Sequence, residues 1–396
     1  MRKKKILFLG GAFSQLPAIK YAKDKGLHVI TADYLPKNPG HKISDEYYNI
    51  STIEKEKILE LSQDLQIDAI SAYASDPSAT TAAYVSDKMG LVGGGYHAVT
   101  TLSNKSLFRK FLNNNGFLCP YFISGKTINE ILDNYWGSKA IIKPVDSSGS
   151  KGIYTISSRE ELIEKFPLTK NVSPSGNVIL EEYIERKGSQ IHGEGFVLNG
   201  ELVFILLGDQ VFSTINNLIP YSTTIPSYYH QDIMPEVIKI VKNAIKKVGY
   251  QTGGINVEVI RDINDKLYIL EIGARNGGNF MPQLAFYATG FDLAKANVDS
   301  LIGYDIPSKY NIPIDKYYSQ VILHSKKAGS FVEINIPKEL QNYICEKNIY
   351  YSKGTQLKKY SNSRDVVGVI IFEVPINMLE SYKKHINQNN WVIVSE

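Results

Sequence analysis

Gly254-Ile255-Asn256-Val257-Glu258-Val259-Ile260, a polar turn over 261–266, and then Leu267-Tyr268-Ile269-Leu270-Glu271-Ile272 form the stretch that decides the fold. In the first segment Ile255, Val257 and Val259 share one face, and Asn256, Glu258 and Ile260 share the other. That period of two predicts a strand, and the second segment is its return partner. If Asn264-Asp265 is a two-residue loop, Glu258 lies directly opposite Glu271. Opposed like charges destabilise a sheet. A divalent cation would turn that repulsion into coordination, and Mg²⁺ favours one or two carboxylates together with phosphate oxygens. The alternative is a pair of solvated glutamates with screened repulsion, against which their mostly aliphatic neighbours weigh.

The chain continues from Glu271 through Ile272-Gly273-Ala274 to Arg275-Asn276-Gly277-Gly278. A guanidinium just beyond the second carboxylate could stabilise charge on a transferring phosphoryl group, or it could pair with one of the glutamates. Upstream, Ala140-Ile141-Ile142-Lys143-Pro144 ends an apolar strand on a lysine, which is costly unless its head reaches an anion. Asp146-Ser147-Ser148-Gly149-Ser150-Lys151-Gly152 follows. This polar segment reads either as a flap whose backbone N–H groups cover phosphates or as an ordinary hairpin loop. Lys105 and Arg109 stand four apart on a predicted helix and share a face, which could be a solvated basic one. Val178-Ile179-Leu180-Glu181-Glu182-Tyr183-Ile184 reads as a core strand, or as one whose backbone holds an adenine.

Further out, strands alternate with helices. Strands at 4–9 and 27–32, a helix–strand unit at about 54–73 and helices at 14–25 and 77–89 predict a parallel, doubly wound sheet, with an exit at Gly93-Gly94-Gly95. A helix at 103–115, strands at 139–143, 153–157 and 177–181, a hairpin around Asn199-Gly200 and a helix at 233–248 lead to the decisive pair. From about 309 the chain turns rich in Tyr, Lys and Asn, with short strands near 318–324, 365–373 and 391–394. Leu9-Gly10-Gly11-Ala12-Phe13-Ser14, with Asp33 closing the next strand, raises a nicotinamide-dependent oxidoreductase as a rival. The loop does not spell G-x-G-x-x-G and reads equally as a tight strand–helix turn.

The 396 residues carry 44 Lys and Arg against 40 Asp and Glu, a net charge of +4 that argues against nucleic-acid binding by bulk electrostatics. No apolar run reaches the roughly 20 residues of a membrane span. The basic opening Arg2-Lys3-Lys4-Lys5 before Ile6-Leu7-Phe8-Leu9 reads as a buried first strand rather than a signal peptide. Cys119 and Cys345, the only cysteines, supply neither a disulfide framework nor a zinc site, and a cytoplasmic setting is expected.

Lys105, Lys143 with its flap, the strand 178–184, Glu258 and the run from Glu271 to Gly278, in that order, resemble the ATP-grasp superfamily in its carboxylate–amine ligase and biotin-carboxylase-like branch. The resemblance spans about 104–300, and Ser75-Asp76-Pro77 with the helix ending at Gly90 is similar to the preceding α/β domain. It implies a multidomain α/β and α+β chain: a Rossmann-like domain at 1–103, a two-lobed ATP-grasp domain at 104–308 with its flap-bearing lobe at about 118–184, and a small α+β domain at 309–396. It implies ATP as cofactor, with Lys105, Lys143 and the flap residues Ser147, Ser148, Gly149, Ser150 and Gly152 at the phosphates. Glu181, Glu182, Tyr183 and Ile184 would meet the adenine and Gln190 the ribose. Glu258 and Glu271 would hold Mg²⁺ or Mn²⁺, and Arg275 would sit near the γ-phosphate, acting with Lys143 in catalysis. Gln190 and Gly273 depart from the common pattern, which carries an acid and a metal-holding Asn there; Asn256 or Asn276 is expected to compensate for the latter, and His192 and Glu194 to line the site. The implied reaction joins a small carboxylate to an amine through an acyl phosphate. Bicarbonate activation and nucleotide binding without turnover are the alternatives. The partners expected are small molecules and a second copy of the chain in a homodimer, not nucleic acid or membrane.

Overall fold

The protein is described from a computed structural model that covers residues 2–395 except 214, 216, 307–309, 314 and 389. The expected boundary at 308/309 lies outside the described residues. Four strands form a parallel sheet in the order Glu46–Tyr48, His28–Ala32, Lys5–Leu9, Ala69–Ser71. Leu7, Leu9, Ile30 and Ile70 pack toward the helices Lys55–Leu65 and Asp76–Met89, and Ile6, Phe8 and Val29 toward Leu16–Asp24 and Leu293–Leu301. The strands are apolar on both sides because both faces are covered.

The chain then builds an eight-stranded antiparallel sheet in the order Leu267–Gly273, Gly253–Arg261, Gln190–Leu198, Glu201–Phe212, Pro220–Ile225, Lys316–Leu323, Gly368–Pro375, Ile344–Ile349. Strands on both sides of position 309 thus share one sheet. The helix Met234–Val248 covers one face through Val237, Val241, Ala244 and Ile245. Met281–Thr289 covers part of the other. Leu293–Leu301 joins the two sheets: Ala294, Val298 and Leu301 pack on the parallel sheet, while Leu293 and Ala296 pack on the large one. Ser71 donates to Asn297 Oδ1 at 2.7 Å across that seam. A smaller sheet, Phe122–Gly125, Val178–Glu182, Ala140–Pro144, Tyr154–Ile156, carries the segment 145–153 as a loop. Gln356–Leu357, Gly329–Ile334 and Val392–Ser395 form a fourth sheet.

The decisive hairpin pairs Glu258 with Glu271. Its loop is not the two-residue turn expected. The Asp265 amide donates to the Asp262 carbonyl at 3.0 Å, Asp265 is left-handed with φ of 64°, and the Asp262 amide donates to Lys266 O at 2.9 Å, which leaves three residues in the loop. The Asp262 carboxylate fixes the turn by accepting from the Asn264 and Lys266 amides. Such a loop alone would shift the register by one. A bulge at Leu270 restores it, since Val259 pairs with Ile269 and Glu258 with Glu271. The Asn199-Gly200 hairpin forms as expected, with φ of 51° and 81° at its two central residues.

The first glycine loop is filled by the protein itself. The Gln15 carboxamide lies against Gly10 and accepts from the Ala12 amide at 2.7 Å, and the His41 ring lies against Gly11. Asp33 accepts from the Leu35 amide and from Asn38 Nδ2, at 3.1 and 2.7 Å. The loop is a packed strand–helix turn, so the dinucleotide reading loses its cradle and its acid together.

Candidate active site

Between the four-stranded lobe and the large sheet runs a cleft walled by Lys105, Lys143, Ser150, Gln190, Glu258 and Glu271. Its apolar end is lined by Ile141, Ile153, Tyr183, Ile184, Phe212, Ile260 and Leu270. The bulge helps to build it, because Leu270 lines the cleft while its carbonyl accepts from Arg109 Nη2 at 2.8 Å. The Lys139 ammonium lies 3.8 Å over Tyr183 and steadies that ring.

At the polar end the two glutamates face one another. Burial pushes the Glu258 carboxyl up to about 7, with Glu271 adding to the effect. Gln190 Nε2 donates to Glu258 Oε2 at 3.1 Å and to Gln210 Oε1 at 2.9 Å. The Gln190 amide, expected at a ribose, therefore serves first to orient a carboxylate. Lys105 Nζ lies 3.5 Å from Glu271 Oε2 and donates to Ser147 O at 3.1 Å. Two oxygen-bearing anions held apart only by fixed cations and an amide suit a hard divalent ion such as Mg²⁺ or Mn²⁺. Among the described residues no group of three or more His, Cys, Asp or Glu gathers for a metal, so such an ion would need oxygens from a ligand.

Glu181 is placed otherwise than expected. It is 3% exposed, and it pairs with Arg109 Nε at 3.0 Å and Lys143 Nζ at 2.6 Å instead of standing at the apolar end. Burial opposes its charge, but Arg109 and Lys143 outweigh that and hold it at about 2. Lys143, whose proton burial loosens, is fixed by this carboxylate at the cleft wall. Arg109 is fully buried, which rules out the solvated basic face. Glu182 is exposed and accepts weakly from the Tyr121 amide at 3.4 Å; Tyr183 and Ile184 line the cleft.

The flap lies over the site through specific contacts. The Ser148 hydroxyl bonds to Asp76. Gly149, with φ of 75°, abuts Ser363 and Arg364. Ser150, left-handed with φ of 55°, donates to Leu218 O at 2.9 Å and is the residue among the five expected flap contacts that lines the cleft. Gly152, with φ of 64°, accepts from Thr169 Oγ1 at 2.9 Å.

Arg275 departs furthest from expectation. Its partner is neither glutamate of the pair but Asp76, 199 positions away, held through Nε–Oδ1 at 2.6 Å and Nη2–Oδ2 at 2.8 Å. Asn256 and Asn276, expected at a metal, turn to Glu194 instead, which accepts from Asn256 Nδ2 at 2.7 Å and Asn276 Nδ2 at 3.4 Å. Glu194 also accepts from the Gly277 amide at 2.8 and 2.9 Å, and burial raises it to about 7. His192 sits behind Asn256, and burial lowers it to about 4, so it is neutral. Glu194 buttresses the loop 273–278, His192 bonds to Asn256 and Thr223, and neither lines the cleft. Arg186 was not anticipated: it lines the cleft with its guanidinium 4.5 Å from the Phe212 ring centroid. A basic residue two positions past the strand 178–184 was its only sequence signal.

Residues 102–279 match the family model of the ATP-grasp domain. The carbamoyl phosphate synthase large chain of Xanthomonas axonopodis pv. citri is 24% identical over 235 residues, which are 56% of this chain and 21% of that protein. The chain thus spans about a fifth of the length of that curated relative. Two solved structures superpose on all of it and are wholly covered by it: the L-amino acid ligase of Bacillus licheniformis, with TM-score 0.83 at 17% identity, and the phosphoribosylglycinamide synthetase of Anaerococcus prevotii, with TM-score 0.77 at 23% identity. Residues 102–279 thus match an ATP-grasp domain, and the chain as a whole shares the fold of those two structures.

Proposed function

We propose that this protein is an ATP-dependent carboxylate–amine ligase that forms an amide through an acyl phosphate. The observation that carries the reading is the opposed pair Glu258 and Glu271 at the polar end of a cleft that also presents Lys105 and Lys143. The adenine occupies the apolar end beside Tyr183, Ile184 and Leu270. The triphosphate extends toward the lysines under the flap, whose closure keeps water from the reaction. Glu258 and Glu271 would hold a divalent cation, which would supply charge neutralisation at the phosphate oxygens.

A carboxylate oxygen of the acid attacks the γ-phosphorus, the bond to the β–γ bridging oxygen breaks, and ADP leaves. The amine nitrogen then attacks the acyl carbon, the carbon–oxygen bond to phosphate breaks, and one proton is released with inorganic phosphate. Lys143 and Lys105 hold the phosphoryl oxygens, and Arg275, in the field of Glu271, faces the charge that develops. The domain limits 1–103, 104–308 and 309–396 are part of this proposal. Phosphate release with ATP and Mg²⁺ across arrayed acids and amines, with product mass, tests it. ADP formation that needs an acid and an amine is expected; bound ATP with no turnover in any pairing overturns it.

A further inference from the structure

We propose that Asp76 reads the ammonium group of the acid substrate while Arg275 holds its carboxylate, so that the acid this protein activates is an amino acid. The inference rests on the ligase reading and names its substrate class. It starts from a pair that joins two parts of the fold: Asp76 begins the helix Asp76–Met89 beside the parallel sheet, and Arg275 follows the strand Leu267–Gly273 of the large sheet.

Three of the five N–H donors of Arg275 are engaged, two by Asp76 and one by Asn276 O at 3.1 Å. Two remain without an acceptor among the described residues, enough to take a carboxylate. The pair is also reachable, since the Asp76 and Arg275 side chains are 32% and 13% exposed. It borders the reacting end of the cleft, because Ser148 of the flap bonds to Asp76 and Lys105 lies within its field. An anion drawn to Arg275 therefore meets a second anion already there. A simple carboxylate would have only repulsion from Asp76, whereas a zwitterion adds a second positive charge for Asp76 beside that of Arg275.

Strain in the backbone on both sides supports a built site. Ala74, two residues before Asp76, has φ of 53°. Asn279 and Phe280, which close the turn after Arg275, have φ of 51° and 62°. Asparagine adopts that region readily, but Ala74 and Phe280 do so only where their surroundings hold them. Glu194 fixes the Arg275 loop from behind through the Gly277 amide. The geometry of the pair is thus determined from both sides.

The test pairs each amino acid with its des-amino counterpart, alanine with propionate and phenylalanine with 3-phenylpropionate among them. Acyl phosphate is trapped by hydroxylamine, so that no amine need be known. The wild type is expected to favour amino acids by on the order of a hundredfold or more in kcat/KM. In Asp76→Asn that ratio is expected to fall to roughly tenfold or less, through a larger loss with amino acids than with their counterparts. Thermal melting and MgATP binding of the variant show that it is folded. Equal use of des-amino acids by the wild type overturns the proposal while leaving the ligase reading intact, as does an equal loss on both classes in the variant. Failure of every acid by a protein that binds MgATP overturns the ligase reading and this inference with it.

Discussion

Replacing Glu181 by Gln removes one charge and almost no volume from the cluster with Arg109 and Lys143. The magnitude follows from the carboxyl itself, which Arg109 and Lys143 hold at about 2 against an ordinary 4.5. At 1.36 kcal/mol per unit, that difference is a contribution of roughly 3 kcal/mol at neutral pH. Removing one partner of a buried ion pair costs roughly 3–5 kcal/mol by a separate route, because the partners stay buried uncompensated. The sign is fixed: a depressed carboxyl stabilises the fold above its unfolded value and loses that contribution as pH falls from 4.5 toward 2. Urea unfolding should therefore show Glu181→Gln less stable by roughly 3 kcal/mol at pH 7, with the gap shrinking by about a quarter at pH 4.

The same substitution reaches function through Lys143. Burial already loosens the Lys143 proton, and Glu181 is the carboxylate that counters it. Without Glu181 the lysine loses charge at lower pH, so the KM for ATP should begin to climb at lower pH in the variant than in the wild type. A variant within about 0.5 kcal/mol of wild type, or a KM with the same pH profile, would refute the reasoning.

Glu271→Gln should lower kcat at least a hundredfold and weaken MgATP binding without lowering the melting temperature, since the lost Lys105 contact is offset by relief of repulsion from Glu258; calorimetry and turnover read both, and wild-type activity removes the metal assignment. Lys143→Ala should raise the KM for ATP by about ten- to a hundredfold, the worth of a charged hydrogen bond, and unchanged kinetics exclude phosphate contact. In Gly254→Ala the new Cβ would overlap the Asn276 carboxamide, which is fully buried. The loop 275–278 should shift, lowering kcat while MgATP still binds; an unaltered kcat would show that the loop does not depend on this contact.

What could be read in advance was local. Periodicity located the strands of the decisive hairpin, and the register placed Glu258 against Glu271. It did so through two deviations that cancel, a loop longer by one residue and a bulge at Leu270. The strand Pro220–Ile225 went unseen because Ser222, Thr223 and Thr224 are polar and yet buried, where Thr224 and Ser319 hydroxyls bond at 2.8 Å. The helix Leu293–Leu301 was missed for a related reason: it packs on two sheets and carries Asn297 and Asp299 into the seam. Partner choice was the other gap. Arg275 had glutamates nearby in sequence but found Asp76, and Glu181 found two cations from separate elements. An ion pair is settled by tertiary distance, which no local pattern encodes.

Those pairings bear on how the cleft receives a nucleotide. Lys143 rests on Glu181, Lys105 lies near Glu271, and Arg275 rests on Asp76. Each cation needed for phosphate is thus held by a carboxylate, which limits the cost of burying it. With a triphosphate and a divalent ion present, Glu271 would hold the ion, and the Lys105 ammonium would be freed toward phosphate. No such exchange is open to Lys143, because Glu181 is locked from its other side by Arg109, which is fully buried. Lys143 must therefore meet phosphate while still paired, as a fixed positioning charge. Binding should consequently depend on the metal through Lys105 and not through Lys143. Lys105→Met should then weaken the difference in ATP affinity between Mg²⁺ and chelator, whereas Lys143→Met should lower affinity in both conditions alike; equal behaviour of the two variants would contradict this division of labour.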